Sequence, residues 1–176
     1  MTLQAVVIGT SAGGVQALSQ VLPRLPADFP APVLVVVHVP PRQSNSLVDL
    51  FAAKCRLPVK EAEDKEPLAP GTIYFAPPDY HVLVEASGTI ALSSDEHVNH
   101  SRPAIDVLFE SAADAFGPEL VGIVMTGANS DGAQGPYPGR PAHHQGRGGS
   151  GAGRPYPRGV RGAPPPHPVA SWKPGF

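Results

Sequence analysis

Apolar residues come along this chain in short runs whose spacing alternates between strand-like and helix-like. Residues 3–9 (LQAVVIG) form one such run, ending in glycine. Val15, Leu18, Leu22 and Leu25 then recur at helical spacing, so the order is strand, tight turn, helix. Residues 33–39 (VLVVVHV) are almost continuously apolar and β-branched, as a strand buried on both faces must be, and Pro40-Pro41 stop them. A helix is expected over residues 44–55, with Leu47, Leu50, Phe51 and Lys54 in one stripe. The β-α-β-α order predicts a parallel sheet with right-handed crossovers.

The middle of the chain changes rhythm. Residues 72–76 (TIYFA), 80–86 (YHVLVEA) and 89–93 (TIALS) read as short strands, the last two separated by Ser87-Gly88 as in a hairpin. From Pro103 the helical period returns through Ile105, Leu108, Phe109, Ala112 and Phe116, closes at Gly117-Pro118, and feeds a strand over 120–126 (LVGIVMT). The expected fold is α/β: a doubly wound, mostly parallel sheet with helices on both faces and an appended β-hairpin.

Composition adds a boundary that the periodicity leaves open. Residues 136–176 hold 10 of the 23 prolines and 9 of the 19 glycines, with 5 Arg and 1 Lys but no Asp, Glu, Leu, Ile or Met. Such a segment lacks the apolar surface for a core, so an irregular tail without secondary structure is expected there. Charge divides at the same place. Residues 1–135 carry 7 basic and 15 acidic side chains (7 - 15 = -8) and the tail 6 basic and none acidic (+6), which together make the formal net charge of -2. Neither piece calls for nucleic acid as a partner. The 176 residues allow one α/β domain or a small two-part protein. The lone Cys55, the absence of a signal-peptide pattern and apolar runs far short of the roughly 20 residues of a membrane helix make a soluble, cytoplasmic protein the expectation.

Chemistry is suggested first by Gly9-Thr10-Ser11-Ala12-Gly13, a G-x-S-x-G pattern between a strand and a helix. There a serine hydroxyl is presented at a helix N-terminus, where backbone N–H groups can hold an oxyanion, and glycines on both sides allow a sharp turn. The pattern alone arises by chance in about one sequence of this size in ten or twenty, and a glycine turn that merely packs helix on sheet is the plain alternative. A dinucleotide loop would need glycine where Ser11 stands. His38, ending the second strand, reads singly as a core histidine, and Asp131, before Gly132, as a turn residue. Together the three change the picture, because each comes at the carboxyl end of a separate parallel strand, where open α/β sheets place their sites. A serine nucleophile needs a base, and the base needs a carboxylate. The Ser, His, Asp chain order differs from the Ser, Asp, His order of α/β-hydrolases. His97 and His100 lack further ligands nearby and read as solvated loop histidines, and residues 61–66 (EAEDKE) as a solvated acidic loop. No metal or cofactor is called for.

The stretches VVIGTSAGG (6–14), VVVHVPP (35–41), VKEAEDKEPLAPGTIYFAPPDYH (59–81), SRPAIDVLFESAA (101–113) and GIVMTGANSDGAQG (122–135) resemble, in order and spacing, the catalytic domain of the CheB-type chemotaxis receptor methylesterases. The resemblance implies Ser11 as nucleophile, His38 as general base and Asp131 as its orienting acid, with the backbone N–H groups of Ala12 and Ala128 as the oxyanion hole. It implies hydrolysis of glutamate γ-methyl esters on the cytoplasmic helices of chemoreceptors, with related glutamine deamidation. Ala12, Ala104 and Ala128 stand where the family usually has threonine, serine and methionine; at 12 and 128 the backbone supplies the N–H, so the side chain should be tolerated. The chain begins at the catalytic domain, so a separate response regulator is the expected controlling partner. Residues 1–135 correspond to a C-terminally incomplete catalytic domain. The turn to Pro, Gly and Arg after Gly135 is what GC-rich codons yield out of frame, so 136–176 are expected to be a non-native tail. Two other readings stay open: an inactive receptor-binding module, and a nucleotide-binding α/β domain with the glycine turn as phosphate cradle.

Overall fold

The computed structural model describes residues 2–11, 13–38, 44–125 and 170–171. In chain order the elements are β1 (Ala5–Ser11), α1 (Gly14–Val21), β2 (Val33–His38), α2 (Ser44–Ala52), β3 (Val59–Glu61), β4 (Ile73–Phe75), β5 (His81–Val84), β6 (Ile90–Ser93), α3 (Ile105–Phe116), β7 (Leu120–Met125) and β8 (Ala170–Ser171). Six strands form one parallel sheet in the order β3-β4-β2-β1-β7-β8, and β5 and β6 pair antiparallel as a separate hairpin.

The central strands are apolar at every position because both their faces are covered. On one face Val6, Ile8, Val33 and Val35 meet Leu18 of α1, Leu22 just after it, and Leu47 and Phe51 of α2. Phe51 stacks on Phe75 of β4 with ring centroids 5.3 Å apart. On the other, Ala5, Val7, Leu34 and Val36 meet Leu108, Phe109 and Ala112 of α3 and Val82 and Ile90 of the hairpin. Each fully buried Leu or Phe here contributes about 1.5–3 kcal/mol relative to exposure. This is the doubly wound, mostly parallel α/β sheet with appended hairpin that the periodicity predicts.

Several boundaries depart from expectation for identifiable reasons. β1 runs to Ser11 rather than Gly9, because its pairing with β2 continues through Thr10 and Ser11. Helix α1 ends at Val21 and tightens into a 3-10 turn over Leu22–Arg24, where Pro23 has no N–H to continue the ladder. In α2, Leu47 and Phe51 are buried but Leu50 is 36% exposed, and Lys54 lies past the helix end. Pro103 does not open α3: Ala104 is the N-cap and Ile105 the first helical residue.

Strand β3 ends at Glu61, the first residue of what reads as a solvated acidic loop. Lys60 reaches Glu63 (3.0 Å) and Glu66 (2.8 Å), and Lys65 reaches Glu85 before the hairpin turn (2.9 Å). Glu61 thus ends a strand rather than opening the loop, whereas 62–66 form no strand or helix and Glu63, Asp64 and Lys65 are exposed, as a solvated loop is expected to be, with these ion pairs pinning it. The expectation that residues 136–176 carry no secondary structure is also corrected at one place, since Ala170 and Ser171 form β8 beside Ile123 and Val124 at the sheet edge. A parallel strand can be as short as two residues when only its backbone is used, so composition could not show it. No helix among the described residues is long and apolar enough to cross a membrane.

Candidate active site

Ser11 and His38 are the last residues of neighbouring strands and stand opposite each other in the parallel register of β1 and β2. Adjacent strands lie about 4.8 Å apart, and residues in register on parallel strands point to the same face. Stepping back by two from each gives Gly9 and Val36, then Val7 and Leu34, which face α3. Ser11 and His38 thus project together on the α3 face, at the carboxyl edge of the sheet, and both are half-buried.

Two glycines bring the surrounding elements close, though not in the way the motif suggests. A Cβ on Gly9 would overlap Ile105 Cγ2, so the missing side chain is what seats the first residue of α3 on β1, two positions before Ser11. A Cβ on Gly14 would overlap Thr10 Oγ1, and Thr10 is itself fully buried on the opposite face. Gly13 is different: its backbone is ordinary right-handed helix (φ -66°, ψ -16°) and nothing lies within 4 Å of a Cβ there. The close contacts come from Gly9 and Gly14, and the sharp turn does not draw on glycine freedom at position 13. Helix α1 starts at Gly14, so its free N–H groups lie at the same sheet edge as Ser11.

Because α3 runs antiparallel to the strands it packs on, its N-terminus and the preceding loop lie at that carboxyl edge too. Arg102 Nη1 donates to the carbonyls of Ser94 (2.9 Å) and Asp95 (3.1 Å), closing the loop on itself. Val98 and Ser101 pair across a tight turn in which Asn99 and His100 both take positive φ (52° and 63°), and Asn99 Nδ2 donates to the buried carboxylate of Asp106 (2.8 Å). His97 and His100 are exposed, as loop histidines are expected to be. His81, at the start of β5, is 2% exposed and bonded through both ring nitrogens. Sequence reasoning missed it; the only signal was one polar residue opening an apolar strand. Asp131, Ala12 and Ala128 lie outside the described residues. Strand β7 ends at Met125, in register with Thr10, at the Ser11 edge of the sheet.

The fold is a doubly wound α/β domain with a serine and a histidine in register at the carboxyl edge of its parallel sheet. The model of the family described as CheB methylesterase matches residues 6–137. A putative protein-glutamate methylesterase/protein-glutamine glutaminase of Leptospira interrogans (strain Fiocruz L1-130) is 46% identical over 135 residues, covering 77% of this chain and 70% of the relative. A protein-glutamate methylesterase/protein-glutamine glutaminase of Symbiobacterium thermophilum is 46% identical over 130 residues, 74% of this chain but 36% of the relative. Among solved structures, the crystal structure of the Thermotoga maritima CheB methylesterase catalytic domain superposes with a TM-score of 0.71 at 38% identity, covering 75% of this chain and 71% of that one. The chain belongs to the CheB methylesterase family.

Proposed function

We propose that this domain is a serine esterase that hydrolyses glutamate γ-methyl esters on chemoreceptor proteins, and deamidates glutamines at such sites, with Ser11, His38 and Asp131 as its triad. The observation that carries this reading is the register pairing of Ser11 with His38 at the carboxyl edge, beside the start of α1. Ser11 Oγ attacks the ester carbonyl as His38 takes its proton, and Asp131 holds the imidazolium. The backbone N–H groups of Ala12 and Ala128 receive the oxyanion. Collapse expels methoxide, which leaves as methanol with the proton from His38. Water, deprotonated by His38, then attacks the acyl-serine and releases the glutamate carboxylate and Ser11. Side chains, backbone N–H groups and water complete this cycle.

The reading places the substrate on a cytoplasmic receptor helix and assigns catalysis to residues 1–135, with 136–176 outside the catalytic unit. A phosphate-cradling loop fits less well, because Ser11 occupies the glycine position of such loops and its partner in register is a histidine. The test is methanol release from a helical receptor peptide bearing a glutamate γ-methyl ester. Ser11→Ala should fold normally and lower turnover by about 10⁴- to 10⁶-fold. Retention of more than about a tenth of the parent rate contradicts the assignment.

A further inference from the structure

His81 is buried beneath the 96–104 loop, which leads into α3 and its first residue Ile105 on Gly9, two positions before Ser11, and each of its ring nitrogens has one backbone partner. Nδ1 accepts from the N–H of Ala104 (3.1 Å), the N-cap of α3, and Nε2 lies 2.9 Å from the carbonyl of Glu96. An amide N–H can only donate and a carbonyl can only accept, so the ring is the neutral tautomer with its proton on Nε2. Protonation of Nδ1 would set two donors against each other. Both nitrogens are occupied, which leaves none to exchange protons with a substrate. What the ring does instead is tie β5 to two points of the 96–104 loop, 15 and 23 residues along the chain.

The second tie matters most for the site. Ala104 has no side-chain cap to offer α3, and the next residue, Ile105, is the one seated on Gly9. We propose that His81 is a positioning residue of the esterase: through Ala104 it fixes the first turn of α3 on Gly9 and with it the wall beside Ser11. The inference rests on the esterase reading above. A displacement of about 1 Å in such a wall can cost up to about 100-fold in rate.

The test uses the full 176-residue chain and a fluorophosphonate probe, following the rate of Ser11 modification well below the unfolding midpoint of each variant. His81→Leu removes both ties and should slow labelling by about 10- to 100-fold while remaining folded by circular dichroism. His81→Asn places Oδ1 where Nδ1 stood and keeps the Ala104 bond, so it should label within about threefold of the parent. His81→Gln extends its amide toward Glu96 and keeps only that bond; it should label more slowly than the asparagine variant. That ordering of two polar variants still decides the matter if the leucine variant does not fold, and a purely packing role would not produce it. Equal rates for the asparagine and glutamine variants, or a folded leucine variant at the parental rate, overturn the inference alone. A parent chain that does not label at Ser11 overturns the esterase reading and this inference with it.

Discussion

Ser11 and His38 could be singled out as residues because each combines a reactive side chain with the end of an apolar strand. Their register could not be read, since one strand's sequence does not say which residue of its neighbour stands opposite. The pairing emerges only when β1 extends through Ser11 and puts both side chains on the α3 face. Cys55 provides an independent check of the residue-scale environment. Burial pushes its thiol above the ordinary range, with the neighbouring Lys54 charge opposing in part. Less thiolate is then present at mildly alkaline pH in the folded chain than in the unfolded one. Cys55 should react more slowly with Ellman's reagent in the native protein than in urea at the same pH, and equal rates would contradict the half-buried placement.

At the scale of elements, the contact between β1 and α3 is the joint on which the site depends. Gly9→Ala forces a methyl group into Ile105 Cγ2, so either the helix start or the strand must shift. The expected cost is about 1–3 kcal/mol, as for other overpacked sites. Ile105→Ala in the same chain should recover part of it, which a double-mutant cycle by chemical denaturation would measure. Simple additivity of the two losses would show that Gly9 and Ile105 do not compete for the same space. Long, strongly periodic elements such as α3 and the β-branched β2 were legible in the sequence. Strand β3 was not: three residues, V-K-E, at a sheet edge need no apolar alternation, and the last of them reads as the start of the acidic loop. Leu50 shows the same limit within a helix, since a leucine near the edge of the apolar stripe is settled by what packs there.

For the whole molecule, the sheet covers itself unevenly. The α1 face beside β7 holds an apolar groove of about 250 Å³ lined by Leu3, Leu25, Phe29 and Ile123 among others, and Val121 is 42% exposed. The groove lies at the opposite end of the strands from Ser11. Among the described residues of 136–176, β8 adds backbone pairing at Ile123 and Val124. A chain ended after Gly135 should still unfold cooperatively, losing about 1 kcal/mol or about 2–4 °C in midpoint. Loss of cooperative unfolding on truncation would mean that the segment is part of the folded unit. The catalytic claim is tested most directly by treating the intact chain with a fluorophosphonate and locating the adduct by peptide mass spectrometry. The expected result is a single modification on Ser11, abolished by His38→Ala and by prior denaturation. No adduct, or one on another serine with Ser11 untouched, would contradict the account.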